Sequence, residues 1–452
     1  MPTDLQTIPF DPADAKAALA QLPREAAVFA LYGADERAEP YIGRTPNLRG
    51  RLERLLRPSA KHPRRLQLAG RVRRIAWQPT GSEFEALLAQ FSLLEQRFGP
   101  KSLERMHLRA PAFVRFLGSN PYPRVVVTHR PSQREAEWAY GPFQSRAAAE
   151  RYLDEMLKLF SLRRCTDDLN PDPAFPGCVY SEMKMCLAPC FKGCSDARYK
   201  EESTAVEQFL ATRGGSRLVT LASERDRASA ELEFETAARI HAQVQKVEGV
   251  RALAGELVRP LSRLRAAIIQ PAASQGDVTV FLYEHGALRG PAQFSTVGMR
   301  IQNEQSGSTS LFAQPLALEP VVEEQGIGSR EQGTENQAAA GAADSALQPL
   351  SPSVPQAQRP LVSASLAKAH RTMLELRLEE VLTGLSANRA TPSATVRQGH
   401  LALLRRWYYR PEAKRTGEIF FPDDEDCWPI RGILRGIGRV AAKSLAPPSD
   451  PS

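Results

Sequence analysis

Five of the chain's six cysteines fall between Cys165 and Cys194. Twelve, seven and three residues separate Cys165, Cys178, Cys186 and Cys190. The last pair, Cys186-Leu-Ala-Pro-Cys190, can present two thiolates to one centre, and the whole spacing allows either a four-thiolate zinc site or an iron–sulfur cluster. Six cysteines in 452 residues make no disulfide scaffold, so this clustering reads as a metal or cluster site in a reducing cytoplasm. Cys194 is a fifth, unmatched thiol. Cys427 stands far away and is expected to be buried. At about 150 residues per domain the length allows roughly three cores. No run approaches the ~18 apolar residues of a membrane span. The first residues carry Asp4, Asp11 and Asp14 without a basic and then apolar stretch, so the expectation is a cytoplasmic protein with no membrane partner.

The net charge is +8, but it is unevenly placed. From Arg44 to Arg74 there are eleven Lys or Arg against one acid, Glu53. A solvated helix face normally mixes both signs. A one-sign segment of this density points to phosphate binding on nucleic acid, with Arg49, Arg54, Arg57, Arg64 and Arg65 as candidate contacts.

The pattern of apolar residues predicts an α+β chain. Val28–Tyr32 and Tyr41–Gly43 read as two strands of a hairpin around the polar turn Gly33–Pro40. Pro46–Leu56 reads as a helix carrying arginines. Glu83–Phe98 reads as a second helix, with Phe84, Leu87, Leu88, Phe91 and Leu94 at helical spacing. Arg124–Thr128 is a short strand, and Ala147–Phe160 an amphipathic helix. Ser195–Leu210 and about Val219–Val250 read as two helices joined at Gly214-Gly215, with Ser195 as N-cap and a seam of Ala237, Ile240, Val244 and Val247. Val278–Tyr283 is a strand. The stretch 302–362 is rich in Gln, Ala, Ser, Pro and Glu and is expected to be a disordered linker. The expected divisions are 20–110, 111–194 with the cysteines, 195–255 as a helical hairpin, 256–301 as a short β segment, the linker, and 363–448 as a helix with a small unit around Trp407, Tyr408, Tyr409 and Trp428. Gly436-Ile437-Gly438 is too short a signal to establish a helix-hairpin-helix.

Three motifs in order carry a family resemblance. Val28-Phe29-Ala30-Leu31-Tyr32, Tyr41-Ile42-Gly43, Asn47-Leu48-Arg49, Phe84-Glu85-Ala86-Leu87-Leu88 and Asn120-Pro121-Tyr122-Pro123 resemble the GIY-YIG nuclease domain that opens the UvrC family of excision-repair nucleases. The resemblance implies phosphodiester hydrolysis, with Tyr41 at the general-base position, Arg51 at the phosphate-binding arginine and Arg44 in place of a lysine. It implies Mg2+ or Mn2+ held by a glutamate of the central helix. That position is Gln90 here, and the tyrosine of the first half is Phe29. An amide is a weak ligand for a hard cation, so the resemblance carries a base and an arginine without the metal's carboxylate.

Tyr140-Gly141-Pro142-Phe143, Leu162-Arg163-Arg164-Cys165 and Met185-Cys186-Leu187-Ala188-Pro189-Cys190 look like the cysteine region of the same family. That likeness implies a 4Fe–4S cluster on Cys165, Cys178, Cys186 and Cys190. Leu232-Glu233-Phe234-Glu235-Thr236-Ala237-Ala238-Arg239-Ile240 resembles the UVR hairpin by which UvrC engages UvrB, with Phe234, Ala238 and Arg239 as the partner-facing residues. The implied setting is nucleotide excision repair of damaged duplex DNA within the SOS response. The family's second nuclease domain, of RNase H type, is not visible after the hairpin. Two functions follow: an endonuclease with an impaired single-cut site, or a non-catalytic adaptor or competitor that binds DNA and a UvrB-like protein.

Overall fold

The computed structural model describes residues 5–35, 37–56, 68–129, 138–166, 169–296, 364–387 and 390–445, with side chains in the 364–387 helix described from 372 onward. The expected linker and the arginines Arg57, Arg64 and Arg65 lie outside these residues.

Three four-stranded antiparallel sheets, each with helical cover, give the described residues an α+β fold. The first sheet joins β1 (Gln6–Pro9), β2 (Ala27–Gly33), β3 (Tyr41–Thr45) and β4 (Val72–Pro79) in the order β1-β4-β2-β3. The predicted hairpin is present, with Phe29 opposite Gly43 and Leu31 opposite Tyr41. One face is covered by α1 (Ala15–Ala20) and α2 (Leu48–Leu56), over a core that includes Phe29, Leu31, Leu52, Ile75 and Trp77. The other face receives α3 (Glu83–Phe98), whose Ala86, Ala89 and Leu93 meet Val28 and Ile42. Ser82 caps α3 by accepting the Glu85 N–H, and Gly99 at φ 52° ends it, so the helix occupies its predicted span.

After α4 (Lys101–Arg105), the second sheet joins β5 (Ala112–Phe116), β6 (Val125–Thr128), β7 (Ala139–Phe143) and β8 (Arg259–Pro260) in the order β6-β5-β7-β8. Onto it pack α5 (Arg146–Leu157) and, beyond the short α6 (Val179–Glu182) of the cysteine region, α7 (Asp196–Ala211). Ser195 is the N-cap of α7, accepting the Arg198 N–H.

The helix expected over Val219–Val250 is two helices, α8 (Gly215–Ala230) and α9 (Phe234–Ala252). Leu232 takes the left-handed conformation at φ 61°, the Glu233 N–H bonds the Ala228 carbonyl and the Leu232 N–H bonds the Ser229 carbonyl. That pair of bonds is a Schellman stop, built here without glycine. The hairpin is therefore α8–α9, and α7 is a separate helix before it.

The third sheet joins β9 (Ala266–Pro271), β10 (Asp277–Glu284), β11 (Ala287–Ser295) and β12 (Glu418–Phe420) in the order β11-β10-β9-β12. Segments 256–301 and 363–448, expected as separate pieces, thus share one sheet. The reason is that β9 and β10 are apolar on both faces and a bare meander would expose them. On one side α10 (Ala364–Ala387) and α12 (Ile430–Leu445) cover Ala267, Ile269, Val278 and Val280. On the other, α3 and α11 (Ala394–Tyr408) cover Ile268, Phe281 and Tyr283. Gly436 lies within α12, where a Cβ would stand 2.3 Å from the Phe420 ring, so it serves close packing rather than a hairpin. Among the described residues no helix is long and apolar enough to cross a membrane.

Helix α11 is where the three sheets meet. Trp407 packs on Phe84 of α3 at 5.3 Å and donates its Nε1–H to the Thr416 carbonyl. The Tyr409 hydroxyl donates to the Pro142 carbonyl beside β7. Phe91 of α3 rests directly on Gly399, where any Cβ would stand 2.1 Å from the ring. The neighbouring His400 is buried, and its Nδ1 accepts the Leu288 N–H at 3.0 Å. Burial pushes its pKa down to about 3. The unfolded chain takes up this proton below about pH 6.5 and the folded chain does not, so stability is lost as pH falls from there toward 3, at about 1.4 kcal/mol per pH unit for this group. His400→Asn keeps an acceptor for Leu288 and removes the proton. Its chemical unfolding between pH 4.5 and 7 should lack this contribution, and a pH dependence identical to wild type would refute it.

Candidate functional site

On the first sheet the hairpin register divides the expected nuclease residues between two faces. Tyr41 and Phe29 lie on the α2 side, with ring centroids 6.1 Å apart, and Gly43 sits against both rings. Ile42 and Arg44 project to the α3 side. β3 is an edge strand, so the two faces meet at its open side. Asn47 starts α2: its Oδ1 accepts the Gly50 N–H at 2.9 Å, which places Arg51 and Arg54 on the exposed side of the helix. Arg49 donates its Nε–H to the Leu22 carbonyl at 2.6 Å, tying α2 to the chain before β2. Arg54 donates to the Gly50 carbonyl of its own helix.

Gln90 is half-buried on α3. Seven residues earlier, on the same helical face and about 10.5 Å along the axis, stands Glu83. Its carboxylate is already engaged. Arg410, beyond the end of α11, grips it with both terminal nitrogens at 2.6 and 2.8 Å, and Arg44 approaches at 3.5 Å. The Arg410 hydrogen bonds, with the fields of Arg410, Arg44 and Arg406, hold the Glu83 carboxyl below the usual carboxylate range. Glu85 is buried and accepts the Gly81 N–H at 2.8 Å, and burial raises its pKa to about 6. Glu95 lies on the opposite side of the helix from Ala86. Thus no carboxylate of α3 is both charged and free at the position a divalent ion requires, and the residues present do not fit that metal. The Arg410–Glu83 pair had no signal in the sequence, since its members are 327 residues apart.

The cysteine region is folded around Arg163, which is almost fully buried. Its Nε–H donates to the Tyr122 carbonyl, its backbone N–H to the Tyr199 hydroxyl, and one terminal nitrogen lies 3.6 Å from the Cys165 sulfur. The Asn120–Pro123 loop is held to α7 by Tyr122, whose hydroxyl meets Asp196 at 2.9 Å and whose ring meets Tyr199 at 5.6 Å. Between Cys186 and Cys190 the chain turns through Ala188 at φ 55°, whose N–H points at the Cys186 sulfur at 3.3 Å. Burial raises the Cys186 thiol to about 11, and the thiols of Cys165, Cys190 and Cys178 add to the rise. The four sulfurs therefore share one neighbourhood, in a setting that supplies N–H donors to two of them. No disulfide joins them. Among the described residues no three His, Cys, Asp or Glu side chains converge on a single-ion site. A tetrahedral zinc needs four sulfurs about 2.3 Å from one point, whereas a polynuclear cluster takes its thiolates at the corners of a larger body. Four thiols with N–H donors at two of the sulfurs are a donor set that either a cluster or a zinc ion could use. Cys194 is half-buried, and Cys427 is exposed in the Asp423–Cys427 turn rather than buried as expected, because its N–H caps the Asp423 carboxylate in a surface loop.

The α8–α9 hairpin seats its base on the second sheet's core through Leu221, Val247 and Val250. Its tip is apolar and bare: Leu232 is 71% exposed and Phe234 66%. Ala238 and Arg239 are exposed on the next turn, with Arg239 bonded to Thr236. The seam residues Ile240 and Val244 are half-buried against the same core rather than free for a partner.

Comparison with known proteins finds likeness over part of the chain. The family model described as the UvrC/Cho excinuclease middle domain matches residues 113–209, which include all the clustered cysteines. The chain is 30% identical over 242 residues to the UvrABC system protein C of Alcanivorax borkumensis, covering 54% of this chain and 39% of the relative. It is 28% identical over 239 residues to that of Aliivibrio fischeri, covering 53% and 39%, and 29% identical over 239 residues to that of Haemophilus ducreyi, covering 53% and 38%. It thus spans about two fifths of the length of the curated relatives it matches. No solved structure matches. Through the matched middle domain and the half of its length aligned with these relatives, the chain is similar to UvrC proteins.

Proposed function

We propose that the chain is a nucleotide excision repair protein that docks on a UvrB-type partner and on duplex DNA, with an N-terminal nuclease site weakened by the loss of its metal carboxylate. The observation that carries the docking reading is the hairpin tip. A soluble chain rarely leaves two large apolar side chains bare on one tight turn without a partner for them, and Leu232 and Phe234 stand together there, both more than half exposed. In this reading Phe234 is the anchor, and Ala238 and Arg239 frame it. Because Phe234 packs on no core, truncating it leaves the fold intact. Phe234→Ala should weaken binding of the UvrB C-terminal hairpin by about 2 kcal/mol, read by calorimetric titration. Unchanged affinity would mean that the tip serves no partner.

For DNA, the exposed Arg51 and Arg54 of α2 and Arg44 of β3 offer phosphate contacts around the open edge of the first sheet. Tyr41 would act as base toward water and Arg51 would hold the phosphate, but the amide of Gln90 leaves the divalent ion without its anionic ligand. Cys165, Cys178, Cys186 and Cys190 would hold a 4Fe–4S cluster, which here supplies folding free energy rather than a step in hydrolysis. The non-catalytic adaptor is the second reading, and the saturation of Glu83 by two arginines favours it over a relocated metal site.

A further inference from the structure

We propose that Arg406 and Arg410 of the C-terminal segment complete a phosphate-binding site on the face of the N-terminal domain, together with Arg44, so that duplex DNA is gripped there by guanidinium groups contributed from both ends of the chain. This inference rests on the DNA-binding reading above and names residues that the N-terminal motifs do not contain.

The argument begins with charge. Three guanidiniums gather about the single carboxylate of Glu83: Arg410 grips it at 2.6 and 2.8 Å, Arg44 approaches at 3.5 Å, and the exposed Arg406 stands four residues before Arg410 on α11. One carboxylate neutralises one of them and leaves two positive charges uncompensated. Glu83 uses one N–H from each terminal nitrogen of Arg410. A guanidinium carries five donors, so three remain. The cluster is open to solvent: side-chain exposure is 34% for Arg44, 42% for Glu83 and 26% for Arg410. It is also well placed. Arg44 belongs to the edge strand β3, and the exposed Arg51 and Arg54 follow on α2, so the cluster and the α2 arginines flank the open edge of the first sheet from its two sides.

Position is fixed by packing. Trp407 lies against Phe84, one residue from Glu83, and Phe91 lies on Gly399. These contacts hold α11 rigidly along α3 and set Arg406 and Arg410 at the start of that helix. There the α3 N-terminus adds its own partial positive charge for an anion. Glu83 then has a clear role: it orients the Arg410 fork. A phosphodiester oxygen meets a preorganised array and needs no metal.

The test uses the full chain and a fluorescein-labelled 30-base-pair duplex, with anisotropy titrations across a range of KCl in the presence of a chelator. Arg406→Gln and Arg410→Gln should each weaken binding and lower the slope of log affinity against log salt by about 0.9, the value of one phosphate contact. Arg431→Gln, which removes a charge of α12 paired with Glu375, is the control and should leave the slope alone. Among the described residues the Arg406 side chain makes no hydrogen bond or ion pair that its removal would break, so its variant separates a phosphate role from a structural one even if Arg410→Gln loosens the fold. Wild-type affinity and slope in both variants would overturn the composite site while leaving DNA binding through α2 intact. A wild-type chain that binds no duplex at all would overturn the DNA reading itself. Inorganic phosphate at equal ionic strength should compete weakly. Competition by phosphate alone as strong as that of the duplex would show a site for the free anion instead.

Discussion

Replacing Gln90 by glutamate should raise magnesium-dependent plasmid nicking by the full chain on the order of a hundredfold, the scale of restoring one charge-stabilising group at a phosphoryl centre. The expectation follows from the chemistry of α3. Gln90 occupies the helical face that also carries Glu83, and it is half-buried there with room for an isosteric carboxylate. The other acids of the helix cannot take the role. Glu83 is held by Arg410 and Arg44, Glu85 is buried on the Gly81 N–H, and Glu95 faces away. A carboxylate at position 90 supplies the anionic oxygen that a hard divalent ion requires, without disturbing the Ala86, Ala89 and Leu93 contacts beneath it. Tyr41→Phe in the same background should return nicking to baseline, because Tyr41 is the remaining candidate base. The opposite outcome is well defined. Robust metal-dependent nicking by the unmodified chain, lost in Tyr41→Phe, would show that Gln90 is no defect and that the ion is held elsewhere.

What was legible in the sequence and what was not divides along physical lines. Elements set by local signals were read at or near their bounds. The hairpin around Tyr41 follows from two apolar runs and a polar turn. Helix α3 follows from helical spacing between Ser82 and Gly99. Helix α7 follows from the Ser195 cap. The break between α8 and α9 was missed because Leu232, not glycine or proline, adopts the left-handed conformation. Its only sequence cost is a strained backbone at one residue, which no composition rule marks. The joining of 256–301 with 363–448 was missed for a different reason. The strand Glu418–Phe420 is three residues long and pairs with a strand some 150 residues earlier, so nothing local announces it. A hint was available in β9 and β10, whose runs Ala266–Ile269 and Val280–Tyr283 are continuously apolar, as strands covered on both faces are. Those runs required more cover than 256–301 could supply. The candidate site divides the same way. Tyr41, Arg51, Gln90 and the cysteines were read from motifs, while Arg410, which reaches Glu83 across the whole chain, could be found only in the fold.

The protein purified without oxygen should be brown and carry iron and labile sulfide, and Cys186→Ser or Cys190→Ser should leave it insoluble rather than merely colourless. The expected colour follows from the donor set and its surroundings: four thiols in one neighbourhood, with N–H groups aimed at two of the sulfurs. The insolubility follows from what the region otherwise has to hold it. From Cys165 to Cys194 the described regular structure is the four-residue α6 and one short turn at Pro189–Phe191. Phe175, Val179 and Met183 are exposed, so no apolar core of its own closes over the segment. Among the described residues its ties to the rest are few, such as the Leu187 N–H on the Ser161 carbonyl. A segment of about thirty residues with so little buried apolar surface cannot offset its conformational entropy, at 1 to 2 kcal/mol per residue, without a covalent or metal cross-link. The four cysteines are free of disulfides, and a cluster on their thiolates would supply that cross-link. Losing one ligand then frees the loop, bares the second sheet's core where Leu187 and Cys194 pack on it, and exposes apolar surface to aggregation. Cys427→Ser, which alters an exposed thiol outside this region, should change neither colour nor solubility. A colourless wild-type preparation holding one zinc per chain would replace the cluster by a single ion, and a soluble, fully folded Cys186→Ser protein would show that the segment stands without either.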